Sequence, residues 1–467
     1  MDLGVFLALM MFAVFLAMIL IGYNVAFSFA ATALLFSFLG DLTNTFDPAS
    51  LGVLPGRWFG AVSDPTLLAV PFFVMMGAIL ERSGLAERLL TAIGMLLGPI
   101  RGGVAAAVVL VGTLLAAATG VVAATVIVMG LLSLPAMVRL GYDHKLATGV
   151  IIASGTLAQL LPPSLVLILL AQQMGVGILG LFAGALLPGL ILSGLYMAYA
   201  LGISFVRPEL GPAMPAEERT LHGRLLALEI LFSVVPILLL IIGVLVSIFL
   251  GIATPSESGA VGVFGALLLA ALSYQFDKFL VRRGATHIEP RWRLTLKTLR
   301  EAGRSTANIS ILVMTLLFAS SFFALMFLRL GGSDQVADWL SSIGGGKTGF
   351  VIVAMIAVFI LGINLEFLEI TFIVVPIFLP AMEALAFTSL EKIWFTVLMA
   401  VNLNMAFISP PVGFSLFYLQ SVAPPQVKTA DIHKGAIPFM VLQGISLVIL
   451  GVFPGIVETS FNFFSLN

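Results

Sequence analysis

Long apolar stretches separated by short polar segments run along the whole chain, and they indicate its fold class. A helix needs about 20 apolar residues to cross the hydrocarbon core of a bilayer, and stretches of this length recur throughout. The pattern therefore predicts an all-α polytopic membrane protein, with spans at 3–21, 25–39, 67–80, 180–205, 226–250, 259–274, 309–327 and 437–453.

Two apolar segments do not fit a simple series of spans. Residues 103–138 lie between Arg101 and Arg139, and basic residues in short loops mark the cytoplasmic side. Both ends therefore face the same side, yet two full spans with a turn need about 40 residues or more. We expect a re-entrant helical hairpin here, with its tip at 118–120, and a second hairpin at 349–385, whose middle reads GINLEFLE.

Adjacent prolines interrupt two further apolar segments. One Pro–Pro pair, at 162–163, falls within the segment 147–171, and another, at 410–411, falls within 395–419. Proline lacks an amide proton and its ring clashes with the preceding turn, so each helix must open and leave carbonyl groups unpaired in a medium without water. Broken helices in matching positions of two halves point to the substrate and ion site of a secondary transporter.

The two halves repeat one plan in opposite orientation. Each half has three spans, then a hairpin, a broken helix and a last span, and the basic segments place the joint between the halves on the cytoplasmic side. Both chain termini are then expected on the outer side. The predicted division is into scaffold spans (1–66), a first inverted repeat with arm, hairpin and broken helix (67–206), a cytoplasmic linker (207–225), scaffold spans with a basic cytoplasmic arm (226–304) and a second inverted repeat (305–467).

Composition narrows the range of functions. Hydrophobic residues make up 60% of the chain and charged residues 10%, with a mean hydropathy of +1.16. The net charge of −1 and the lack of a long basic run argue against a nucleic-acid partner, which needs clustered positive charge. The sequence has no His-Glu-x-x-His helix, no complete Gly-x-x-x-x-Gly-Lys-Ser/Thr phosphate loop and no Gly-x-Ser-x-Gly elbow. We therefore expect a protein that is not an enzyme.

The opened helices offer two kinds of ligand. Their carbonyl oxygens suit a hard cation such as Na⁺, and their helix N-termini suit an anion. An alternative for the first half is that Gly155 only lets helices approach and that the prolines make a structural kink. The candidates for the cation in the first half are Thr119, Gly120, Gly155, Leu157, Leu160 and Pro162.

The second half has more polar residues near its hairpin and broken helix. Ionisable side chains at membrane depth are costly and are functional candidates by default. Glu366, near the inferred tip, is the first choice, whereas Glu369 could equally be a partner of the backbone or of Asn364 within the hairpin. The candidates for the substrate are Ser164, Asn364, Glu366, Asn404 and Ser409.

Five sequence motifs carry a family resemblance. They are VPFFVMMGAILERSGL (70–85), LPAMVRLGYDHKLATG (134–149), the LLPPS stretch, GIATPSESGAVG (251–262) and VVPIFLPAM (374–382). Together, and in this order, they resemble the large, DctM-like membrane subunit of tripartite ATP-independent periplasmic (TRAP) transporters. The resemblance extends over nearly the whole chain.

The resemblance implies an elevator-type importer, driven by two or more Na⁺ ions, in the bacterial inner membrane with both termini periplasmic. A periplasmic solute-binding protein would deliver a small organic acid, and a small four-helix membrane subunit would brace the scaffold among the membrane lipids. In the family, cations bind where each hairpin tip meets its broken helix. That implies Thr119, Gly120, Gly155 and Pro162 on one side and, on the other, Gly362, Leu365, Met405 and Pro410.

The second hairpin tip also bears on the substrate. Its sequence NLEFLE is similar to the branch of the family associated with 2-oxo acids, mannitol or chloroaromatic acids, which argues against a C4-dicarboxylate. The alternative function is a self-sufficient Na⁺- or H⁺-coupled carboxylate carrier that needs no binding protein.

Overall fold

The structure is a computed structural model that describes residues 2–219, 223–283, 292 and 294–464. Helices make up all the regular secondary structure of these residues. The helices of the first half are α1 Leu3–Ile21, α2 Val25–Leu42, α3 Leu54–Val62, α4 Pro65–Arg82, α5 Leu85–Leu97, α6 Gly103–Thr119, α7 Val122–Arg139, α8 His144–Thr156, α9 Leu165–Met174 and α10 Ile178–Val206. Those of the second half are α11 Gly223–Phe249, α12 Pro255–Arg282, α13 Leu296–Arg329, α14 Gly332–Ser341, α15 Gly346–Gly362, α16 Phe367–Ala384, α17 Ser389–Phe407, α18 Phe414–Gln420, α19 Thr429–Val452 and α20 Gly455–Phe464.

Within the described ranges, ten helices are long and apolar enough to cross a membrane. All eight predicted spans are among them, as α1, α2, α4, α10, α11, α12, α13 and α19. The other two are α7 and α16, which form the second arm of each hairpin. The prediction of an all-α polytopic membrane protein is therefore confirmed.

The helix α13 is longer than the sequence predicted. It begins at Leu296, inside the predicted basic arm, because Thr295 caps it: the side-chain oxygen of Thr295 accepts the amide of Thr298 at 3.1 Å. The lysine and arginine residues that follow are good helix formers. Arg291 and Arg293 of the predicted arm, and residues 220–222 of the predicted linker, lie outside the described residues.

Short helices occupy three places where no helix was predicted: α3, α14 and α20. The indole nitrogen of Trp58 on α3 donates to the carbonyl of Phe318 at 3.2 Å and to the hydroxyl of Ser321 at 2.9 Å, so α3 is fixed to α13. Gly331, with φ +81°, separates α13 from α14, and α14 contacts α16. Prediction by span length overlooks such helices because tertiary contacts, rather than length, stabilise them.

The two predicted hairpins and two predicted broken helices are present, in the predicted order. The hairpin of α6 and α7 turns at 120–121, and that of α15 and α16 turns at 363–366. Residues 157–164 separate α8 from α9, and residues 408–413 separate α17 from α18. We call these segments the first and second break. The Pro–Pro peptide bond in each break is cis.

The hairpins and broken helices of the two halves interlock at the buried centre of the molecule. Helix α7 contacts α18 and α16 contacts α9, so each hairpin touches the broken helix of the other half. Where α8 crosses α19, a Cβ on Gly149 or Gly435 would collide with the backbone of the opposite helix. Small residues of this kind let membrane helices approach closely.

The linker between the halves lies across the root of the first hairpin. The amide of Gly102 donates to the carbonyl of Gly211 at 2.8 Å, and the amide of Met214 donates to that of Gly98 at 2.8 Å. The amide of Asp143, in the turn after α7, donates to the same linker. These bonds hold together the start of α6 and the end of α7, which form the root of the hairpin.

A buried ion cluster joins α5 to α11 and α12. Arg88 Nε and Nη2 lie 3.1 and 3.0 Å from Glu229 Oε1, and Arg88 Nη1 lies 2.8 Å from Asp277 Oδ1. All three side chains are buried. By contrast, Arg82 forms an exposed salt bridge with Glu301 at 3.1 Å. The amphipathic arm predicted from the sequence is thus fixed, through Arg88, to two of the predicted scaffold helices.

Candidate functional site

The tip of the first hairpin lies directly against the first break. Gly120 has φ +61°, a conformation that L side chains rarely adopt. A Cβ on Gly120 would lie 3.0 Å from the amide nitrogen of Leu165, the first residue of α9, and 3.4 Å from the carbonyl oxygen of Pro163. Glycine is therefore required both by the backbone angle and by the close approach.

Two hydroxyl groups meet at this tip. The Oγ1 atoms of Thr119 and Thr125 are 2.9 Å apart, and Thr125 Oγ1 donates to the carbonyl of Val121 at 3.0 Å. Both threonines are buried. Sequence reasoning proposed Thr119 and overlooked Thr125, although Thr125 is the next hydroxyl residue after Thr119 in the same apolar hairpin.

The carbonyl ligands proposed for the first break differ in availability. The carbonyl oxygen of Leu157 already accepts the amides of Leu160 at 3.0 Å and of Leu161 at 2.9 Å. Gly155 lies against α7, where a Cβ would come within 3.4 Å of Val126 Cα. The close approach of two helices that the alternative interpretation described is thus present at Gly155, and cation binding by Gly155 stays a prediction.

Ser164 holds the break in shape. Its hydroxyl donates to the carbonyl of Ala158 at 2.8 Å and accepts the amide of Leu167 at 3.4 Å, so it caps α9. The other two proposed residues of this break, Leu160 and Pro162, are buried. Capping occupies the Ser164 hydroxyl in the structure, and substrate binding by Ser164 stays a prediction.

Gln159 belongs to this break and was overlooked. It ends a short 3₁₀ turn, Leu157–Gln159, and is completely buried. Neither Nε2 nor Oε1 has a hydrogen-bond partner within the described residues, although most buried polar side-chain atoms in proteins have one. The signal available in the sequence was a single amide side chain three positions before the prolines of an apolar run.

The second tip carries carboxylates. Glu366 Oε1 accepts the hydroxyl of Tyr418 on α18 at 2.6 Å, which fastens this tip to the second break. Glu369 Oε2 accepts the backbone amide of Glu366 at 3.0 Å, as the alternative interpretation of Glu369 described. Asn364 is exposed at the turn. Tyr418 was overlooked by the sequence analysis, which proposed no residue after the second Pro–Pro pair.

Two asparagines of α17 differ in their surroundings. Asn402 Nδ2 donates to the carbonyl of Met355 at 2.6 Å and so ties α17 to α15. Asn404 is completely buried, and neither of its polar atoms has a hydrogen-bond partner in the described part of the chain. Close by, a Cβ on Gly362 would lie 2.6 Å from the Cβ of Ala406, so the end of α15 closes on the end of α17.

The remaining residues proposed in the second half lie around the same break. Ser409 is buried, and its hydroxyl lies 3.4 Å from the carbonyl oxygen of Pro410. Leu365 is buried at the tip. The Met405 sulfur lies 3.5 Å from where a Cβ of Gly444 would stand. The Met405 side chain thus faces α19, which leaves its backbone carbonyl as the group that could serve an ion.

A buried network that was not predicted supports the first broken helix. Gln443 Nε2 on α19 donates to the hydroxyl of Tyr196 on α10 at 2.6 Å and to that of Thr156, the last residue of α8, at 3.3 Å. All three side chains are completely buried. The network joins the end of α8 to the two long helices that follow the broken helices.

The two breaks differ in charge. The sequence from 146 to 206 contains no acidic residue, and neither does 103–138, whereas the second tip contains Glu366 and Glu369. No group of three or more His, Cys, Asp or Glu within the described ranges could hold a metal ion. The oxygen ligands near the tips are carbonyls, hydroxyls, amides and carboxylates, which suit a hard monovalent cation such as Na⁺.

A groove of about 790 Å³ lies away from the hairpin tips. It is bordered by α15, α17, α19 and α20. Most of its lining residues are aliphatic or aromatic, and Lys347 and Glu391 stand at one end with a 2.7 Å salt bridge. Because most of its lining is apolar, we place the candidate site at the breaks rather than in this groove.

Comparisons with known proteins agree with this architecture. A family model described as "Tripartite ATP-independent periplasmic transporter, DctM component" matches residues 12–456. The C4-dicarboxylate TRAP transporter large permease protein DctM of Pseudomonas aeruginosa is 30% identical over 412 residues, 88% of this chain and 90% of that protein. The 2,3-diketo-L-gulonate TRAP transporter large permease protein YiaN of Escherichia coli is 25% identical over 396 residues, 84% of this chain and 85% of that protein. Among solved structures, the YdaH transporter of Alcanivorax borkumensis has a similar fold, with a TM-score of 0.55 and 14% identity over 86% of this chain and 87% of that chain.

Proposed function

The chain belongs to the family of DctM components of tripartite ATP-independent periplasmic transporters, and we propose that it is the large permease subunit of an importer for a small organic acid. Import is driven by Na⁺ and proceeds by an elevator motion. The protein works in the inner membrane of a bacterium, with both termini in the periplasm.

The observation that carries this proposal is the contact between each hairpin tip and its own break. Gly120 touches the start of α9, and Glu366 accepts a hydrogen bond from Tyr418 of α18. Each break brings a helix C-terminus and a helix N-terminus together inside an apolar helical core, where ends of this kind attract cations and anions respectively. Two such places in one core provide sites for both a driving ion and an anionic substrate.

The names of the two relatives support an acid as the substrate. One names C4-dicarboxylates and the other names 2,3-diketo-L-gulonate, and both are carboxylates at neutral pH. The second of these has an oxo group next to its carboxylate, as a 2-oxo acid does. The substrate we propose is therefore a small carboxylic acid, with a 2-oxo acid as the first choice.

Sodium is the driving ion that the available ligands favour. At the first break these are the threonine hydroxyls of the tip and backbone carbonyls, of Gly120, Leu160 and Pro162 among others. At the second they are the carbonyls of Met405 and Pro410, with the acidic tip close by. Neutral oxygen ligands bind Na⁺ without a change of protonation, and we propose two or more ions per cycle.

The elevator motion divides the chain into two bodies. Helices α1, α2, α11 and α12 form the scaffold, and the two hairpins with their broken helices form the moving transport domain. The contacts of α7 with α18 and of α16 with α9 make the two halves of the transport domain one body. The ion cluster around Arg88 fixes α5 to the scaffold side.

Two protein partners follow from the tripartite family. A small four-helix membrane subunit braces the scaffold, and a periplasmic solute-binding protein delivers the acid. The long apolar faces of the scaffold helices are then shared between the small subunit and membrane lipid.

Uptake into proteoliposomes tests this function. The chain is reconstituted with its small subunit, and uptake of the acid that co-purifies with the cognate binding protein is followed under an imposed Na⁺ gradient or an imposed proton gradient. We expect uptake only when both Na⁺ and the binding protein are present. Uptake that is driven by protons without the binding protein would replace the proposal with a stand-alone carrier.

A further inference from the structure

Two carboxamide side chains at the breaks are buried without a hydrogen bond at either end of the amide; the hydroxyl of Ser415, at the start of α18, also lacks a partner in the described residues. Gln159 and Asn404 are both completely buried, and all four of their polar atoms lack a hydrogen-bond partner in the described ranges. Gln159 ends the turn at the first break, and Asn404 lies in the last turn of α17 before the second break. Helix α17 contacts the turn that carries Gln159, so the two amides lie on adjoining elements.

The other two completely buried amides in the described residues use their NH₂ groups structurally, while their side-chain oxygens have no partner. Gln443 and Asn402 each donate strong hydrogen bonds to fixed neighbours on other helices. Burial of an amide without such bonds costs stability. A fold that keeps two of them at the breaks therefore gives up stability, as is common where a protein reserves polar groups for a ligand.

The donor and acceptor groups of a carboxamide determine which groups that ligand must contain. Its NH₂ group can only donate, and its carbonyl oxygen can only accept or coordinate a cation. Na⁺ alone would satisfy the oxygens and leave the NH₂ groups unpaired, while an anion alone would do the reverse. A carboxylate together with its cation satisfies both ends of both side chains.

We propose that Gln159 and Asn404 bind the organic acid and its coupling Na⁺ as a pair, with the carboxylate at Gln159 and the ion at Asn404. This assignment rests on the proposed function and names the residues that recognise its substrate. Gln159 Nε2 donates to the carboxylate, and Asn404 Oδ1 coordinates the ion. The remaining Gln159 Oε1 accepts from a hydroxyl of the acid or contacts the ion, and Asn404 Nδ2 donates to a second oxygen of the acid.

The difference in charge between the two breaks determines which break binds the carboxylate and which binds the ion. We call this arrangement the polarity of the site. The first break is free of acidic residues, and the ten-residue helix α9 begins there at Leu165 with the positive end of its dipole. The second break lies beside Glu366 and Glu369, whose carboxylates favour a cation and repel an anion. The acid is therefore held on the first side, and the Na⁺ ion that pairs with its carboxylate is held on the second.

The test compares Gln159→Met and Asn404→Leu with Gln443→Met, in the full chain purified with its small subunit. Gln443 is the matched control, since it is an equally buried glutamine whose NH₂ group is hydrogen-bonded to Tyr196 and Thr156. Thermal unfolding is measured first, in choline chloride. We expect Gln159→Met and Asn404→Leu to be at least as stable as the wild type, and Gln443→Met to unfold at a lower temperature.

Ligand dependence is measured next. With NaCl as the only probe, we expect Na⁺ to raise the unfolding temperature of the wild type and of Gln159→Met by the same amount, and that of Asn404→Leu by less, because only the Na⁺ ligands of the first break remain intact in Asn404→Leu. In uptake at saturating Na⁺, Gln159→Met should raise the half-saturating concentration of the acid about tenfold to a hundredfold, the range for loss of a hydrogen bond to a charged group.

Each result decides the question. If Gln159→Met is destabilised as much as Gln443→Met and its half-saturating concentration is unchanged, Gln159 is structural and the inference is wrong. If Asn404→Leu keeps the full Na⁺ response, the assigned polarity is wrong. If the wild type itself shows neither a Na⁺ response nor Na⁺-driven uptake, the proposed function fails, and the inference fails with it.

Discussion

The buried ion cluster at Arg88 gives the sharpest prediction for stability. In Arg88→Met, the guanidinium that bridges Glu229 at 3.0 Å and Asp277 at 2.8 Å is lost, while the two carboxylates stay buried. Removal of one partner from a buried ion pair costs about 3–5 kcal/mol, because it leaves an uncompensated buried charge. We therefore expect the free energy of unfolding, measured by denaturant titration in mixed detergent micelles, to fall by about this amount.

Arg82 supplies the matched control, because it also bridges two helices but does so at the surface. Its salt bridge with Glu301 has a similar length, 3.1 Å, yet the two side chains are 34% and 44% exposed. An exposed pair contributes about 0–1 kcal/mol, so Arg82→Met should be nearly neutral.

Neutralisation of the two carboxylates should restore stability to Arg88→Met. The triple variant Arg88→Met, Glu229→Gln, Asp277→Asn keeps the packing and removes the uncompensated charge. It should recover most of the lost free energy. A loss below about 1 kcal/mol in Arg88→Met, no larger than that expected of a surface pair, would refute the electrostatic account of how α5 is fixed.

Three further substitutions test the two hairpin tips and the N-terminal end of α17. Gly120→Ala should lower the free energy of unfolding by about 1–3 kcal/mol, since alanine is strained at φ +61° and its Cβ would press on the start of α9. Tyr418→Phe removes the 2.6 Å hydrogen bond to Glu366 and should cost about 1–3 kcal/mol in the same titration. The hydrogen bonds donated by Lys347 hold the pKa of the Glu391 carboxyl below its usual range, so this pair stabilises the protein above the ordinary glutamate pKa. Its contribution should disappear as the pH falls through the lowered pKa, and Lys347→Met should remove this part of the pH dependence of the unfolding temperature.

Each of these three has its own control. Gly175 also has a positive φ, of +65°, but a Cβ there would meet nothing within 4 Å, so Gly175→Ala reports strain without a clash. Tyr23 is 60% exposed, and Tyr23→Phe should be neutral. Glu391→Gln should remove the same part of the pH dependence as the loss of its lysine partner. If Gly120→Ala is no worse than Gly175→Ala, the close approach of tip and break is not important for stability.

Much of the fold could be predicted from the sequence because membrane spans and broken helices obey simple rules. About 20 apolar residues make a span, and adjacent prolines in such a run open a helix. These rules located all eight spans, both hairpins and both breaks. They missed α3 and α14 because such short helices depend on particular contacts, such as that of Trp58 with α13, which hydropathy does not contain.

The site could be predicted only in part. Sequence reasoning placed Thr119, Gly120 and Glu366 at tips that touch the breaks, since tip and break positions follow from the pattern. It could not tell which polar side chains are already used. Ser164 caps α9, whereas Gln159 has no partner among the described residues, and that difference depends on three-dimensional packing.

The central claim is that the hairpins and broken helices move as one body against the scaffold. The chain contains no cysteine, so pairs of spin labels can be placed without background. One pair joins Ile252, in the exposed turn of the scaffold helices, to Ser389, at the exposed start of α17. The control pair joins Ser389 to Gln172, at the end of α9, so that both labels lie within the moving body.

Distances between the spin labels are measured by electron paramagnetic resonance in proteoliposomes, in choline chloride and in NaCl. We expect the distances between 252 and 389 to redistribute with Na⁺, while those between 172 and 389 stay the same. Distances that change equally in both pairs, or in neither, would contradict the elevator account.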